Sequence, residues 1–552
     1  MNSGHKACGL FLGCVITAMG ICDWGWCAIP AEHISDFSGA WEVCAVEPLN
    51  GGLWVAVVSH DSRGQIWFSD GTADGTASVK EITPSRVAWY NFANPRYNVG
   101  DKVFFVVRYD YMVGEELWVS DGSEDNTRLL LTTSPGPYTW PEFLNDMGSI
   151  VYFRATTDGY IYRLWRSDGT VEGTYPLNDA LVMSDWRSIV VGNVLYYLAD
   201  DGLNGTELWR TDGTDAGTCM VKDVNPGVGD GVTAIPVVCG GALYFAGRDG
   251  ERGLELYRSD GTEAGTEIVK DIALGTGDSS PVGLTALGDI LFFFADDGIH
   301  GNEPWITNGT GEGTSLVKDI CAGETGSAAK EAMVLGDKAY FVADDGLHAA
   351  ELWKSDGTEA GTGMVLDFDP APSGINVWMA LEGVVAGHVY FHRSLWPADD
   401  DGSDFYRTDG TEAGTSYIAR VVMGPSPPVQ GITSYNGTVY FGSRDVLFRL
   451  DGTTAEMVAM EDTQLGVTSN GAFVYPRPVL LGDRLYLNGA HGLWAIDAGG
   501  PPAPDDDEPS GPCCFGTTAE QRTDWRGFAP PALLILCLHW FARCSSGNKE
   551  SD

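Results

Sequence analysis

A twelve-residue stretch recurs along the chain, and its spacing limits the possible folds more than any other feature of the sequence. The stretch ELWKSDGTEAGT occupies residues 351–362. Ten copies keep an aromatic residue; eight of them also keep an Asp-Gly pair, a ninth has Asn308-Gly309 in its place, and the last two copies are degenerate. Successive aromatic positions are 51, 47, 44, 48, 48, 48, 53, 42 and 46 residues apart. A period of this length is typical of repeat architectures. The aromatic positions are Trp67, Trp118, Trp165, Trp209, Tyr257, Trp305, Trp353, Tyr406, Phe448 and Trp494.

Each period also contains short apolar runs that are bounded by Gly, Asp and Asn, which is the signature of strands and turns. In the sixth unit the sequence predicts strands at 282–287, 290–296, 303–308 and 314–320. Four short strands in about 45 residues make one blade of a β-propeller. The sequence therefore predicts an all-β protein, a β-propeller of about ten four-stranded blades over residues 40–498. Uniform spacing favours one ring, and two five-bladed propellers are the alternative.

The recurring motif is predicted to be structural, because catalytic machinery does not occur in ten equivalent copies. Side chains alternate along a strand, so Leu352 and Trp353 should contact different neighbouring blades. The following Asp accepts hydrogen bonds within a turn, and Gly supplies the positive φ that the turn needs. The predicted structural residues are Trp67, Asp70, Trp118, Asp121, Trp165, Asp168, Trp209, Asp212, Tyr257, Asp260, Trp305, Asn308, Trp353, Asp356, Tyr406 and Asp409.

The pattern E-L-W-x-x-D-G-T resembles the signature of the ELWxxDGT repeat proteins, which are large exported bacterial proteins sometimes labelled hyalin-like. The resemblance covers roughly residues 46–498. The Asp-Gly turn is also similar to the Asp-box turn of sialidase propellers, a structural device remote from that enzyme's active site. The resemblance implies a propeller-type repeat and an exported location rather than any activity.

The two ends of the chain differ from the repeats. Residues 1–31 contain an uncharged apolar stretch and are predicted to be a signal peptide. Residues 499–529 form a Pro- and Asp-rich linker with a Cys pair, and residues 530–552 form a hydrophobic tail. This tail resembles the C-terminal sorting tags of myxobacterial surface proteins, which implies possible membrane attachment. We expect an exported protein at the cell surface or associated with the outer membrane.

The formal net charge is −43. Such an acidic surface should repel nucleic acid and anionic membranes, whereas it could attract Ca²⁺ or cationic partners. Carboxylate pairs that suit Ca²⁺ recur before the aromatic motif, although the same Asp-Asp-Gly stretches also form ordinary polar turns. The predicted calcium ligands are Asp200, Asp201, Asp296, Asp297, Asp344 and Asp345.

Function is predicted to reside where the repeat is irregular. His388, His392 and Trp396 lie in such a unit, next to a long loop that could hold a binding site. His300 and His348 occupy equivalent loop positions. Cys219 and Cys239 lie on neighbouring predicted strands of adjacent blades, so they either form a disulfide or remain as two free thiols.

No catalytic motif is present, so we predict a non-enzymatic binding or adhesion scaffold for an extracellular protein or glycan ligand. A glycan-active enzyme, either a glycosidase or a lyase, and a Ca²⁺-stabilised surface protein are the alternatives.

Overall fold

The structure is a computed structural model, and the residues it describes are all in strands or in the connections between strands. It describes residues 31–35, 41–59, 64–82, 96–108, 114–133, 141–368, 376–396, 402–422, 430–435, 438–443, 446–451, 454–457, 479–481, 484–489 and 492–497. These ranges contain forty β-strands, and none of them includes a helix that could cross a bilayer. The chain divides into two compact units, Met1–Gly500 and Pro501–Asp552, and the second lies outside the described ranges.

The strands form ten four-stranded antiparallel sheets, which we number 1 to 10 in chain order. Sheets 1 and 2 contain β2 (Trp41–Leu49), β3 (Gly52–Ser59), β4 (Gly64–Ser69), β5 (Ala77–Ile82), β6 (Arg96–Val99), β7 (Lys102–Arg108), β8 (Glu115–Ser120) and β9 (Arg128–Thr132). Sheets 3 and 4 contain β10 (Glu142–Met147), β11 (Ile150–Ala155), β12 (Arg163–Ser167), β13 (Tyr175–Pro176), β14 (Val182–Val191), β15 (Val194–Asp200), β16 (Thr206–Thr211) and β17 (Cys219–Lys222). Sheet 5 contains β18 (Val237–Cys239), β19 (Ala242–Gly247), β20 (Glu255–Ser259) and β21 (Glu267–Lys270).

The remaining sheets continue the same order. Sheets 6 and 7 contain β22 (Val282–Leu287), β23 (Ile290–Asp296), β24 (Asn302–Thr307), β25 (Ser315–Leu316), β26 (Ala332–Leu335), β27 (Lys338–Asp344), β28 (Ala350–Ser355) and β29 (Gly363–Leu366). Sheets 8 and 9 contain β30 (Asn376–Val385), β31 (His388–Trp396), β32 (Gly402–Thr408), β33 (Ser416–Val422), β34 (Gln430–Tyr435), β35 (Thr438–Ser443), β36 (Val446–Asp451) and β37 (Thr454–Met457). Sheet 10 contains β38 (Val479–Leu481), β39 (Arg484–Gly489), β40 (Gly492–Asp497) and β1 (Ala31–Ser35).

Second strands are buried on both faces because a neighbouring sheet covers each side. In β23, Phe292, Phe293 and Phe294 all have no exposed surface, as the unbroken apolar run predicts. For sheet 6, the predicted strands 282–287 and 290–296 coincide with β22 and β23. The predicted fourth strand, 314–320, is too long, because beyond β25 the chain leaves the sheet edge and Val317 and Ile320 pack against sheet 7.

The adjacent Leu and Trp of the repeat contact different sheets, as side-chain alternation predicts. Leu352 packs in a cluster with Val389 and Phe391 of sheet 8. Trp353 packs in another cluster with Phe292 of sheet 6. The first strands of successive sheets also contact one another, for example β22 with β26 and β26 with β30. These strands therefore form the inner edge of a β-propeller arrangement.

A lysine near the end of the fourth strand adds a polar link between successive sheets. Lys222 donates from Nζ to the carbonyl oxygen of Thr266 at 2.7 Å, and Lys270 donates to that of Thr314 at 2.7 Å. The link recurs with the period because it joins equivalent positions. The disulfide considered between Cys219 and Cys239 is not formed, and both are free thiols.

The first strand of the chain pairs with the last one. Three strands of sheet 10 come from the C-terminal part of the repeats, and β1 pairs antiparallel with β40, with Ala31 opposite Ile496 and His33 opposite Trp494. The sequence shows no fourth strand after Trp494, and residues 31–35 supply it. If residues 1–31 are removed as a signal peptide, four of the five residues of β1 remain. Tyr486 of sheet 10 packs with Val43 of sheet 1, so the last sheet also contacts the first through side chains.

Candidate functional site

The connections between strands alternate between two ends of the sheets. The connection between first and second strands lies at the same end as the one between third and fourth strands, because neighbouring strands are antiparallel. We call this end the turn face, and it carries the Asp-Gly turns. The connection between second and third strands, such as 297–301, lies at the opposite end together with the connection to the next sheet, such as 317–331. We call this end the loop face.

The Asp of the repeat is fully engaged within its own turn. Asp356 Oδ1 accepts hydrogen bonds from Thr358 N at 2.9 Å and Thr358 Oγ1 at 2.7 Å, and the hydroxyl bond lowers the pKa of the Asp356 carboxyl. Ser355 Oγ lies 2.7 Å from Thr362 Oγ1 across the turn. A Cβ on Gly361 would lie 2.0 Å from Asp356 Oδ1, so only glycine leaves room for the carboxylate. The Asp356 carboxylate therefore stabilises its own turn, and it is not placed as a catalytic acid would be.

The other copies repeat this arrangement with small variations. In sheet 2 the second glycine is replaced by Asn126, whose Nδ2 donates to Asp121 Oδ2 at 2.6 Å. The turn residues that accept the same backbone hydrogen bond are Asp70, Asp121, Asp168, Asp212, Asp260, Asn308 and Asp409. The repeat aromatics that pack between sheets are Trp67, Trp118, Trp165, Trp209, Tyr257, Trp305 and Tyr406.

The Asp pairs predicted to bind Ca²⁺ lie at the loop face in sheets 4, 6 and 7, where the first Asp of each pair ends the second strand and the other begins the loop. Asp297 Oδ1 accepts from the backbone N–H groups of Ile299 and His300 at 2.9 Å each, and its Oδ2 lies 2.8 Å from His300 Nδ1. Asp296 Oδ1 accepts from Gly298 N at 2.7 Å. The same bonding is present at Asp200, Asp201, Asp344 and Asp345.

Each pair therefore organises its own loop, and His300 and His348 contribute to this as partners of Asp297 and Asp345. Within the ranges described above, no three His, Cys, Asp or Glu side chains converge as metal ligands would. The calcium site stays a prediction from the sequence.

The Glu of the repeat is buried, which sequence reasoning did not anticipate. Glu255 has no exposed surface; its carboxylate accepts from the N–H groups of Ile272 and Ala273 at 3.0 and 3.1 Å and from Ser279 Oγ at 2.6 Å. It thus fixes the connection to the next sheet. Burial raises the pKa of this carboxyl, and it raises the pKa of the equivalent groups to about 7. Those groups are Glu207, Glu303 and Glu351.

These carboxyls are expected to make the protein less stable as pH rises from 5 to 8. A carboxyl whose pKa is higher in the folded state holds its proton preferentially there, so its stabilisation is complete below the unfolded pKa and is lost through the folded value near 7. Each group should contribute a loss on the order of a few kcal/mol at most. Urea unfolding midpoints at pH 5, 6, 7 and 8 test this. Glu303→Gln should flatten the profile, and a midpoint that rises with pH contradicts it.

Sheet 4 departs from the repeat on its first strand. In β14 the register shifts between Met183 and Ser188, so residues 184–187 bulge from the inner edge. Trp186 in this bulge is 62% exposed. Arg187 donates from Nε and Nη2 to both carboxylate oxygens of Asp185, at 3.2 and 2.8 Å, and its guanidinium carbon lies 5.7 Å from the centre of the Trp186 ring. The bulge is therefore ordered by its own side chains.

Sheet 8, which the sequence identifies as irregular, extends beyond its neighbours at the loop face. β30 and β31 are ten and nine residues long, whereas β26 and β27 are four and seven. His392 is buried, and its Nδ1 lies 2.5 Å from Glu382 Oε1. Its ring centroid is 4.7 Å from that of Trp378, which is 51% exposed. Trp396 ends β31, His388 lies at the turn face, and the long loop at 397–401 is outside the described residues.

Exposed apolar side chains are concentrated on the loop face. Among the described residues, ten of the fourteen exposed large apolar side chains lie in its loops or at the adjoining strand ends, which marks this face as different from the turn face. The ten are Tyr160, Val182, Trp186, Leu203, Val228, Leu274, Val282, Ile299, Leu347 and Trp378. The other four, on fourth strands or the turn face, are Leu129, Val171, Tyr175 and Tyr417.

Comparison with known proteins gives no family for this chain, because no family model and no curated protein matches it. Similar solved structures include a puromycin hydrolase (14% identity, TM-score 0.30, covering 66% of this chain and 61% of that one). The β-propeller domain of the Trilobed protease from Pyrococcus furiosus is another (10%, 0.26, 68% and 97%). TolB from Acinetobacter baumannii is a third (12%, 0.24, 50% and 63%). Such values carry no argument about activity, and membership of the ELWxxDGT repeat family stays a prediction.

Proposed function

We propose that the protein is a non-enzymatic binding scaffold that presents its loop face to an extracellular ligand. The concentration of exposed apolar side chains on that face carries the proposal. Leu203, Ile299 and Leu347 occupy equivalent tips in sheets 4, 6 and 7, and they are 71%, 65% and 67% exposed. Apolar side chains that are grouped on one face of a protein are typical of an interaction surface. Export and cell-surface attachment, as the chain ends predict, would place this face outside the cell.

The acidic groups of the same face favour a neutral or cationic ligand. Hydrogen bonds within the loops accompany a lowered pKa of Asp201, Asp297 and Asp345, so these carboxyls are charged at neutral pH. They add to a net charge of −43. A polyanionic ligand would therefore be repelled. The repeated acids have internal partners, which supports binding rather than catalysis by the repeats.

We also propose that the ten sheets form one closed ring rather than two rings of five. Contacts between sheets 5 and 6, where two rings would separate, are as apolar as elsewhere, with Leu256 of sheet 5 packing in one cluster with Phe293 and Trp305 of sheet 6. The pairing of β1 with β40 and the contact of Tyr486 with sheet 1 support closure between the last sheet and the first. One ring also keeps all loop faces on the same side.

Binding of the labelled full chain to intact bacterial cells tests the loop face. The triple variant Leu203→Ser, Ile299→Ser and Leu347→Ser should weaken binding by about tenfold or more, since truncating central contacts typically costs 1 kcal/mol or more. Val171→Ser on the turn face, where the side chain is 54% exposed, is the matched control and should bind as the unmodified chain does. Equal loss in both variants contradicts a role for the loop face, and release of cleaved surface material contradicts the non-enzymatic assignment.

A further inference from the structure

Two exposed tryptophans occupy the inner edge of the sheets at the loop face, each at a place where the repeat is broken. Trp186 lies in the bulge of β14, and Trp378 lies in the extended part of β30. Both strands are the first of their sheets, and first strands contact one another along the inner edge. The regular sheets 5, 6 and 7 have no exposed aromatic side chain on their first strands. The two indole side chains are therefore additions to the repeat rather than parts of it.

Each indole has a polar side chain beside it. Trp186 stands beside the Arg187 guanidinium, which is half exposed at 51% while its two bonds to Asp185 fix its plane. An exposed bulge would be expected to sample several conformations, but this ion pair and the bond from Arg187 N to Asp185 Oδ1 at 3.0 Å restrain it. The bulge that carries the Trp186 ring is therefore preorganised, which reduces the entropy lost on binding.

Trp378 packs against the ring of a buried histidine. His392 is 1% exposed, and Glu382 orients its ring through Nδ1. The other nitrogen, Nε2, is buried and has no hydrogen-bond partner among the described residues. The hydrogen bond to Glu382 holds the His392 ring against which Trp378 packs.

The combination of an exposed indole and adjoining hydrogen-bonding groups matches the chemistry of a sugar ring. One face of a pyranose presents C–H groups that pack on an aromatic ring, while its hydroxyl edge requires donors and acceptors such as those of Arg187 and Asp185. Trp186 and Trp378 lie on the first strands of two different sheets, 4 and 8, so a single ligand that stacks on both must be a chain of sugars rather than one sugar. The charged carboxyls of this face exclude sugars that carry carboxylate or sulfate groups.

We propose that Trp186 and Trp378 are the stacking platforms of a binding site for a neutral polysaccharide on the inner edge of the loop face. The site rests on the proposed function and specifies its ligand class. It also differs from the aliphatic tips of Leu203, Ile299 and Leu347, which a protein partner would contact. Substitutions can therefore separate the two surfaces.

Affinity electrophoresis of the full chain tests the site, with laminarin or soluble chitin oligomers in the gel as neutral probes and alginate as the anionic probe. At least one neutral probe should retard the chain, and alginate should not. Trp186→Ala and Trp378→Ala should each weaken the interaction by about tenfold, and Tyr at either position should restore most of it. Tyr417→Ala removes an aromatic that is 50% exposed on a fourth strand and should have no effect. Circular dichroism checks that each variant folds.

The outcomes separate this site from the broader proposal. Retardation by no neutral probe, or retardation that is unchanged in both alanine variants, overturns the polysaccharide site. If the chain still binds intact cells in that case and the serine variants of the aliphatic tips weaken binding, the scaffold stands and its partner is a protein. Binding to neither cells nor polysaccharides overturns both proposals. Retardation by alginate as strong as by the neutral probes contradicts the charge argument.

Discussion

Replacing Trp353 with alanine is expected to lower the free energy of unfolding by about 3–5 kcal/mol, the range for truncating a large aromatic in a core. The ring is 6% exposed and packs between sheets 6 and 7 with Phe292 and Phe341, while Lys318 Nζ lies 5.8 Å from its centre. Its Nε1 has no hydrogen-bond partner among the described residues. The loss therefore comes from apolar contacts and from the cavity that the sheets, held by their neighbours, cannot close.

Two variants separate this effect from the loss of an indole as such. Trp353→Tyr should cost much less, because Tyr257 and Tyr406 fill the equivalent place and stack on Phe245 and Phe391 with centroids 5.9 and 5.5 Å apart. Trp186→Ala should change stability by less than about 0.5 kcal/mol, as is usual for an exposed side chain. Urea unfolding followed by far-UV circular dichroism measures all three. A cost for Trp353→Ala no greater than that of Trp186→Ala contradicts the packing role.

The sequence predicts the sheets well because each sheet is encoded locally. In sheet 6 the apolar run 290–296 and the Gly-Asp turn before it determine β22 and β23, and no distant residue is needed. The contact of Leu352 and Trp353 with different sheets follows from alternation alone. The Asp-Gly turns are equally local, because Asp356 bonds only to residues within its own turn.

What the sequence does not predict depends on distant partners or on burial. β1 carries no repeat motif, so its pairing with β40 more than 450 residues away leaves no local signal. Glu255 recurs at a fixed place beside Leu256, but only the packing of the next connection shows that it is buried. The bulge that exposes Trp186 likewise depends on an ion pair rather than on a strand pattern.

Deletion of residues 1–35 is expected to lower the free energy of unfolding by about 2–4 kcal/mol. The reason is that β1 makes four residue pairs with β40, and a backbone hydrogen bond contributes about 1 kcal/mol net. Without β1, the edge of β40 presents unpaired N–H and C=O groups. Such an edge pairs readily with other chains, so the truncated protein should also self-associate. Deletion of residues 1–30 keeps β1 and is the matched control. Urea midpoints and size-exclusion chromatography compare the two.

A synthetic peptide of residues 31–40 distinguishes strand pairing from other effects of truncation. If β1 closes the ring of sheets, excess peptide should raise the urea midpoint of the chain that lacks residues 1–35. A ligand that binds only the folded state stabilises that state in proportion to the logarithm of the ligand concentration. It should have no effect on the chain that lacks only residues 1–30. Equal midpoints for the two truncations contradict the role of β1, and they would leave closure to Tyr486 and its side-chain contacts with sheet 1.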